Sequence, residues 1–200
     1  MKLLLENWRK FLKEELIVPA INKPNLIIYD FDETIAQSEG FIIARHKETG
    51  EEQKITTQEE YDQLKVTEEY DFDFSNLSKI TDPVEIVPIT KKLRSDLRKP
   101  NTQVMILTAR QPEAEDEIQI YLDSIQIDPV NMIIIGCSGC DKGQFIENLM
   151  EISPQVKNII FYDDSQENIQ NLLRSRDAIG DILETFEIVD VSDPINWRTL

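Results

Sequence analysis

The chain has 200 residues, 40% of them hydrophobic, with 38 acidic side chains against 21 lysines and arginines and a net charge of −17. That length and apolar content suit one domain with a real core, and no apolar run approaches the ~20 residues of a membrane-spanning helix. The charge opposes long nucleic acid and anionic lipid. The opening Met1-Lys2-Leu3-Leu4-Leu5 is too short for a secretory signal, so a cytoplasmic protein is expected.

In chain order, Leu4, Leu5, Trp8, Phe11, Leu12 and Leu16 recur at helical spacing. This predicts a helix that docks on the domain by its apolar stripe, or contacts a partner or a second copy. With the connector Pro19–Asn25 it forms a leading segment, residues 1–24, ahead of the main domain, residues 25–200. Leu26-Ile27-Ile28-Tyr29 reads as a buried strand that ends on Asp30, with Asp32 two residues on. Glu33–Gly40 is polar and loop-like. Phe41–Arg45 and Gln53–Thr57 read as a hairpin around Lys47-Glu48-Thr49-Gly50, with glycine where a positive φ is needed. Thr57 with Glu60 forms a capping-box pattern for a short helix. Residues 66–87 read as loop. From Val87 helices and strands alternate: helix Ile89–Arg98, strand Gln103–Leu107, a helix from Pro112 to about Gln126 and strand Asn131–Ile135. Helix Lys142–Ile152, strand Asn158–Tyr162, helix Gln166–Arg174 and strand Phe186–Val191 follow. Such alternation means right-handed βαβ units. The fold class is therefore α/β: a Rossmann-like three-layer α/β/α domain with a central parallel sheet. Residues 38–86 interrupt the rhythm and are read as a small cap insertion after the first strand.

Three apolar runs end on oxygen-bearing side chains: Asp30, Thr108, and the pair Asp163-Asp164. Ligands of open α/β sheets bind at these carboxyl ends. Asp30, Asp32, Asp163 and Asp164 are expected to converge there, where their repulsion calls for a cation, and an all-oxygen set suits Mg²⁺. Asp30 is suited to attack phosphorus, and Asp32 to protonate the leaving oxygen and later activate water. Thr108 offers a hydroxyl to a phosphate oxygen. Lys142 offers a charge at a helix start. Arg110 reads either as a phosphate or substrate contact or as a surface partner of Glu113. Asn168 either orients the acid pair or lies on a helix surface.

These residues resemble the haloacid-dehalogenase-like (HAD) phosphohydrolase superfamily. Asp30-Phe31-Asp32-Glu33-Thr34 matches its first motif, Met105-Ile106-Leu107-Thr108 its second, Asp141-Lys142-Gly143 its third and Phe161-Tyr162-Asp163-Asp164 its fourth. The resemblance covers about residues 25–191. It implies a nucleophile in Asp30, an acid/base in Asp32, phosphate contacts in Thr108 and Lys142, and Mg²⁺ held by Asp30, the Asp163/Asp164 pair and the main-chain carbonyl of Asp32. Glu33 departs from the pattern, standing where many relatives have glycine.

Cys137 and Cys140 are expected to be free thiols near the site, and His46 to sit solvated beside its turn. From His46 to Asp73 there are ten acids and three bases, a net of −7. That charge favours a small phosphorylated metabolite or nucleotide as substrate. The functional expectation is a Mg²⁺-dependent phosphomonoesterase. The alternatives are a nucleic-acid 3′-phosphatase and a non-catalytic scaffold that kept the fold.

Overall fold

A computed structural model describes residues 19–39, 41–55, 58–73 and 75–200. The expected leading helix lies outside the described residues, as does Thr57 of the capping box. The connector is held to the domain: Ile21 is buried, and its N–H donates to Ser153 Oγ at 2.9 Å.

Among the described residues the central sheet has six strands. β1 (Asn25–Tyr29), β7 (Thr102–Thr108), β8 (Met132–Gly136), β9 (Asn158–Asp163) and β10 (Thr185–Asp190) run parallel, and a short β11 (Arg198–Thr199) pairs antiparallel with β10. Their order is β11-β10-β9-β1-β7-β8. β1 is central, with Tyr29 opposite Ile106 on one side and Tyr162 on the other. Successive side chains of a strand face opposite ways, so these near-continuous apolar runs feed two cores. Leu26, Ile28, Met105, Leu107, Ile159 and Phe161 pack on one face, against α4 (Lys142–Ile152) and α5 (Gln166–Ile179). Ile27, Tyr29, Val104, Ile106 and Tyr162 pack on the other, against α2 (Val87–Asp96) and α3 (Glu115–Ser124). Helices on both faces make the three layers that the alternation predicts.

The insertion between β1 and β7 holds more strand than its composition suggests. β2 (Ala36–Glu39) lies where a polar loop is expected, and it pairs antiparallel with β6 (Thr81–Glu85) as a two-stranded stalk. β5 (Tyr70–Asp73) also lies in the stretch read as loop. It pairs with β3 (Ile42–His46), which pairs in turn with β4 (Glu52–Ile55). These strands have four or five residues and mostly exposed faces, so they lack the apolar run that marks a strand in sequence. Pro83 is tolerated in β6 because it lies at a bulge, where it and Asp82 together face the single Ser38 of β2. The hairpin turn has Gly50 at φ 72°, as expected. α1 (Gln58–Lys65) lays Tyr61 edge-on against Phe72 at 4.9 Å, so part of the aromatic content packs the insertion on itself. His46 sits at the turn, its Nδ1 accepting from the N–H groups of Glu48 and Thr49.

Candidate active site

β1 ends at Tyr29, and Asp30 follows in a buried position. Its N–H donates to the carbonyl of Tyr162 on β9 at 2.9 Å, which continues the ladder one residue further and fixes where Asp30 emerges. Asp163 ends the neighbouring β9, and Asp164 follows it. Asp30, Asp163 and Asp164 each present a carboxylate oxygen, and these three atoms lie within 4.8 Å of one another. Register alone brings them together, because β1 and β9 are parallel neighbours with Tyr29 opposite Tyr162.

Lys142 crosses into this cluster from the start of α4. It is 1% exposed, and its Nζ lies 2.8 Å from Asp30 Oδ1 and 2.8 Å from Asp163 Oδ2. Two local features hold α4 in place. Asp141 caps it, its carboxylate accepting from the N–H groups of Gly143 and Gln144. Gly143 lets the helix start lie against α5, where a Cβ would stand 2.5 Å from Ser175 Oγ and 2.6 Å from the Asn171 carbonyl. Asp163 is gripped further by the N–H of Ser165 and the amide of Asn168, so Asn168 takes the orienting role that the sequence leaves open. Asp164 is steadied by the Thr34 hydroxyl at 3.2 Å.

Asp32 is near enough to Asp30 to act on it electrostatically, but its side chain is not in the group of three carboxylates within 4.8 Å of one another. Its side chain is taken by Arg110. Arg110 Nε lies 2.9 Å from Oδ2 and Nη2 2.8 Å from Oδ1, a fork on a carboxylate. The Ser38 hydroxyl donates to the same Oδ1 at 2.6 Å. Arg110 is 7% exposed, so the reading of a surface partner for Glu113 does not hold. Thr108, fully buried at the end of β7, accepts the Arg110 backbone N–H through Oγ1. That contact uses a lone pair, and the O–H is still able to donate. Ser38 and Thr34 were not singled out by sequence reasoning. Thr34 is visible as the last letter of Asp-x-Asp-x-Thr, whereas Ser38 carries no local signal.

The electrostatics reflect a crowded anionic site. Burial pushes the Asp30 carboxyl above the usual carboxylate range; the Lys142 ammonium opposes this and Asp163 adds to it. Burial, then the adjacent Asp163, pushes Asp164 up to about 6. Burial works against the Lys142 charge, but Asp30 and Asp163 outweigh it and hold its pKa above the ordinary lysine value. One ammonium therefore does not neutralise three carboxylates. The donor set is hard oxygen throughout, and it fits a divalent ion such as Mg²⁺.

Cys137 and Cys140 are joined in a disulfide, not free as expected. Ser138 and Gly139, at φ 52° and 71°, fold the segment back and bring the two Cα atoms to 5.3 Å, within bridging range. The loop lies beside the site: the N–H groups of Cys137, Ser138 and Gly139 donate to the carbonyls of Thr108, Arg110 and Ala109.

No family model matches this sequence, and no curated protein sequence matches it. Two solved structures do match: the HAD domain of effector protein Lem4 from Legionella pneumophila, and an inactive mutant of that domain. The first is 19% identical, with a TM-score of 0.50 over 83% of this chain and 85% of that one. The second is also 19% identical, with a TM-score of 0.51 over 84% and 86%. At that identity the likeness concerns the fold. The chain has the fold of a HAD domain, with a buried aspartate cluster at the strand ends.

Proposed function

We propose that this protein is a phosphomonoester hydrolase that acts through an aspartyl-phosphate on Asp30, with a small phosphorylated metabolite or nucleotide as substrate. The observation that supports it most is the placement of Asp30. It stands buried at the end of the central strand, 2.8 Å from Lys142 Nζ and grouped with Asp163 and Asp164.

An Asp30 oxygen attacks phosphorus, and the bond to the leaving oxygen breaks. Asp32 delivers its proton to that oxygen, so an alcohol departs rather than an alkoxide. Water then attacks the acyl phosphate, Asp32 accepts the water's proton, and Asp30 is freed with release of inorganic phosphate. Thr108 and Lys142 hold phosphate oxygens through both steps. Asp30, Asp163 and Asp164 would hold Mg²⁺, which supplies positive charge to an anionic ester that these carboxylates alone would repel. The net of −7 over His46–Asp73 favours a small substrate over a long polyanion.

The test is a panel of phosphate monoesters with Mg²⁺, comparing the wild type with Asp30→Asn. Phosphate release should fall by more than ~10³-fold in the variant, since an amide is a poor nucleophile, while the melting curve stays cooperative. Turnover at the wild-type rate in Asp30→Asn would remove the covalent route.

A further inference from the structure

We propose that Arg110 is a positioning residue that ties the aim of Asp32 to the seating of the insertion stalk. This rests on the hydrolase reading above and names what controls its acid/base group. Among the described residues the Arg110 guanidinium reaches three separate places at once. Nε and Nη2 grip the Asp32 carboxylate, Nη2 donates to Ser38 Oγ at 2.8 Å, and Nη1 donates to the Lys79 carbonyl at 2.6 Å. Ser38 belongs to β2, the leading strand of the stalk, and Lys79 stands just before β6, the returning strand. One side chain thus joins both legs of the insertion to the second aspartate of the first motif.

The stalk is shaped for this contact. Its ladder pairs Gln37 with Val84 and then Glu39 with Thr81, so two residues of β6, Asp82 and Pro83, stand opposite the single Ser38 of β2. The bulge therefore lies in β6, where Asp82 has φ 43°, and it bends that strand across from Ser38. Here the Ser38 hydroxyl donates to Asp32 Oδ1 and accepts from Arg110, closing a triangle of three polar groups. The two oxygens of Asp32 are left unequal. Oδ1 accepts from Ser38 Oγ, Arg110 Nη2 and Arg110 Nε, whereas Oδ2 accepts from Arg110 Nε. The less engaged Oδ2 is the oxygen that carries the proton to and from substrate. Arg110 also keeps its planar group beside the Phe31 ring, 5.9 Å from its centre. A lysine would supply charge without this fork.

Because Ser38 and the Lys79 carbonyl belong to the two legs of the insertion, the seating of the stalk sets, through Arg110, where the Asp32 carboxylate points. Arg110 acts through Asp32 and does not itself hold the phosphate. The two roles differ kinetically. A group that orients the proton donor matters most when the leaving oxygen is strongly basic. A phosphate clamp matters equally for every ester.

The experiment compares the best alkyl and the best aryl phosphate of the wild-type panel in Arg110→Ala, Arg110→Lys, Ser38→Ala, Asp32→Asn and the double variant Asp32→Asn/Arg110→Ala. Arg110→Ala should lower kcat about 100-fold for the alkyl ester and less than about 10-fold for the aryl ester, with KM within about 3-fold for both. Arg110→Lys should not restore the alkyl rate. In the Asp32→Asn background, Arg110→Ala should cost less than about 2-fold, because the group it orients is already lost. Should Arg110→Ala fail to fold, Ser38→Ala carries the test, with an expected alkyl-selective loss of about 3- to 10-fold. Equal losses for both esters, a KM rise of about tenfold, or an undiminished effect in the Asp32→Asn background would each overturn the proposal and assign Arg110 to the phosphate. Absence of wild-type turnover across the panel is a different result: it would overturn the hydrolase reading itself and this inference with it.

Discussion

The carboxyl end of the central sheet and the insertion beside it are built on opposite terms. At the sheet end, Asp163 and Lys142 are at most 1% exposed, and each charged group is held by several partners. In the three-stranded sheet of the insertion, the Arg45–Glu52 pair has side chains 64% and 50% exposed, and pairs of that kind contribute little. Backbone pairing in the sheet is set by two buried cores; in the insertion Ala44 and Ile55 are the buried apolar side chains of β3 and β4. Reactive groups need fixed geometry, and the sheet end provides it. An exposed, lightly packed surface can vary without cost to the fold, which would suit the insertion to selecting a substrate under the proposed function.

The contrast is broken most severely at Lys142. Lys142→Met should leave Asp30 and Asp163 facing each other without their shared cation. Losing one partner of a buried charge cluster costs roughly 3 kcal/mol or more, or about 6–12 °C in a domain of this size. A melting point within about 2 °C of wild type would mean that the cluster is not held by this ion pair.

A bound Mg²⁺ would address the same crowding from the other side. An ion bound only by the folded site, at a hundred times its dissociation constant, stabilises by about 2.7 kcal/mol, or roughly 5–10 °C. The pH dependence has a definite sign. Asp164 titrates at about 6 in the folded protein, raised by burial and by Asp163, and Asp30 is displaced in the same direction. Groups with raised folded pKa values contribute stability below the unfolded value, about 4. That stability is lost as pH rises through about 6. Chelator-treated protein should therefore melt lower at pH 7 than at pH 5, and Mg²⁺ should close most of that gap. Asp164→Asn should shrink the Mg²⁺ shift. Sodium at equal ionic strength should not reproduce it, because screening acts on the whole −17 charge and not on one site.

Two smaller effects sharpen the comparison. Glu33, between the two motif aspartates and Thr34, has φ 54°, a left-handed conformation that a side chain resists. Glu33→Gly should stabilise by up to about 1 kcal/mol, read as a rise of about 2–4 °C. A fall would show that the Glu33 side chain makes a compensating contact. Replacing the hairpin tip Lys47–Glu51 with a two-residue turn should change stability least, by about 0.5 kcal/mol. The ranking of substrates should change more than the melting point. The reverse result would make the tip part of the core and not of the selecting surface.

The local code of this chain reaches as far as its apolar runs do. Leu26–Tyr29, Val104–Leu107 and Ile159–Tyr162 are buried on both faces, so composition alone marks them as strands, and each strand-end acid or threonine is legible beside its run. The start of α4 at Lys142 is likewise legible, because Asp141 caps it locally. Strands β2, β5 and β6 were not legible: short and exposed on one face, they are stabilised by pairing partners far off in sequence, Ala36 with Glu85 and His46 with Tyr70. The same holds for the cysteine bridge, which depends on the turn that Ser138 and Gly139 adopt against the Thr108–Arg110 segment. Asp32 shows the boundary best. Its place two residues after Asp30 is a matter of sequence. The grip on its carboxylate depends on Arg110, 78 residues later, and on Ser38, which the paired stalk places opposite the β6 bulge.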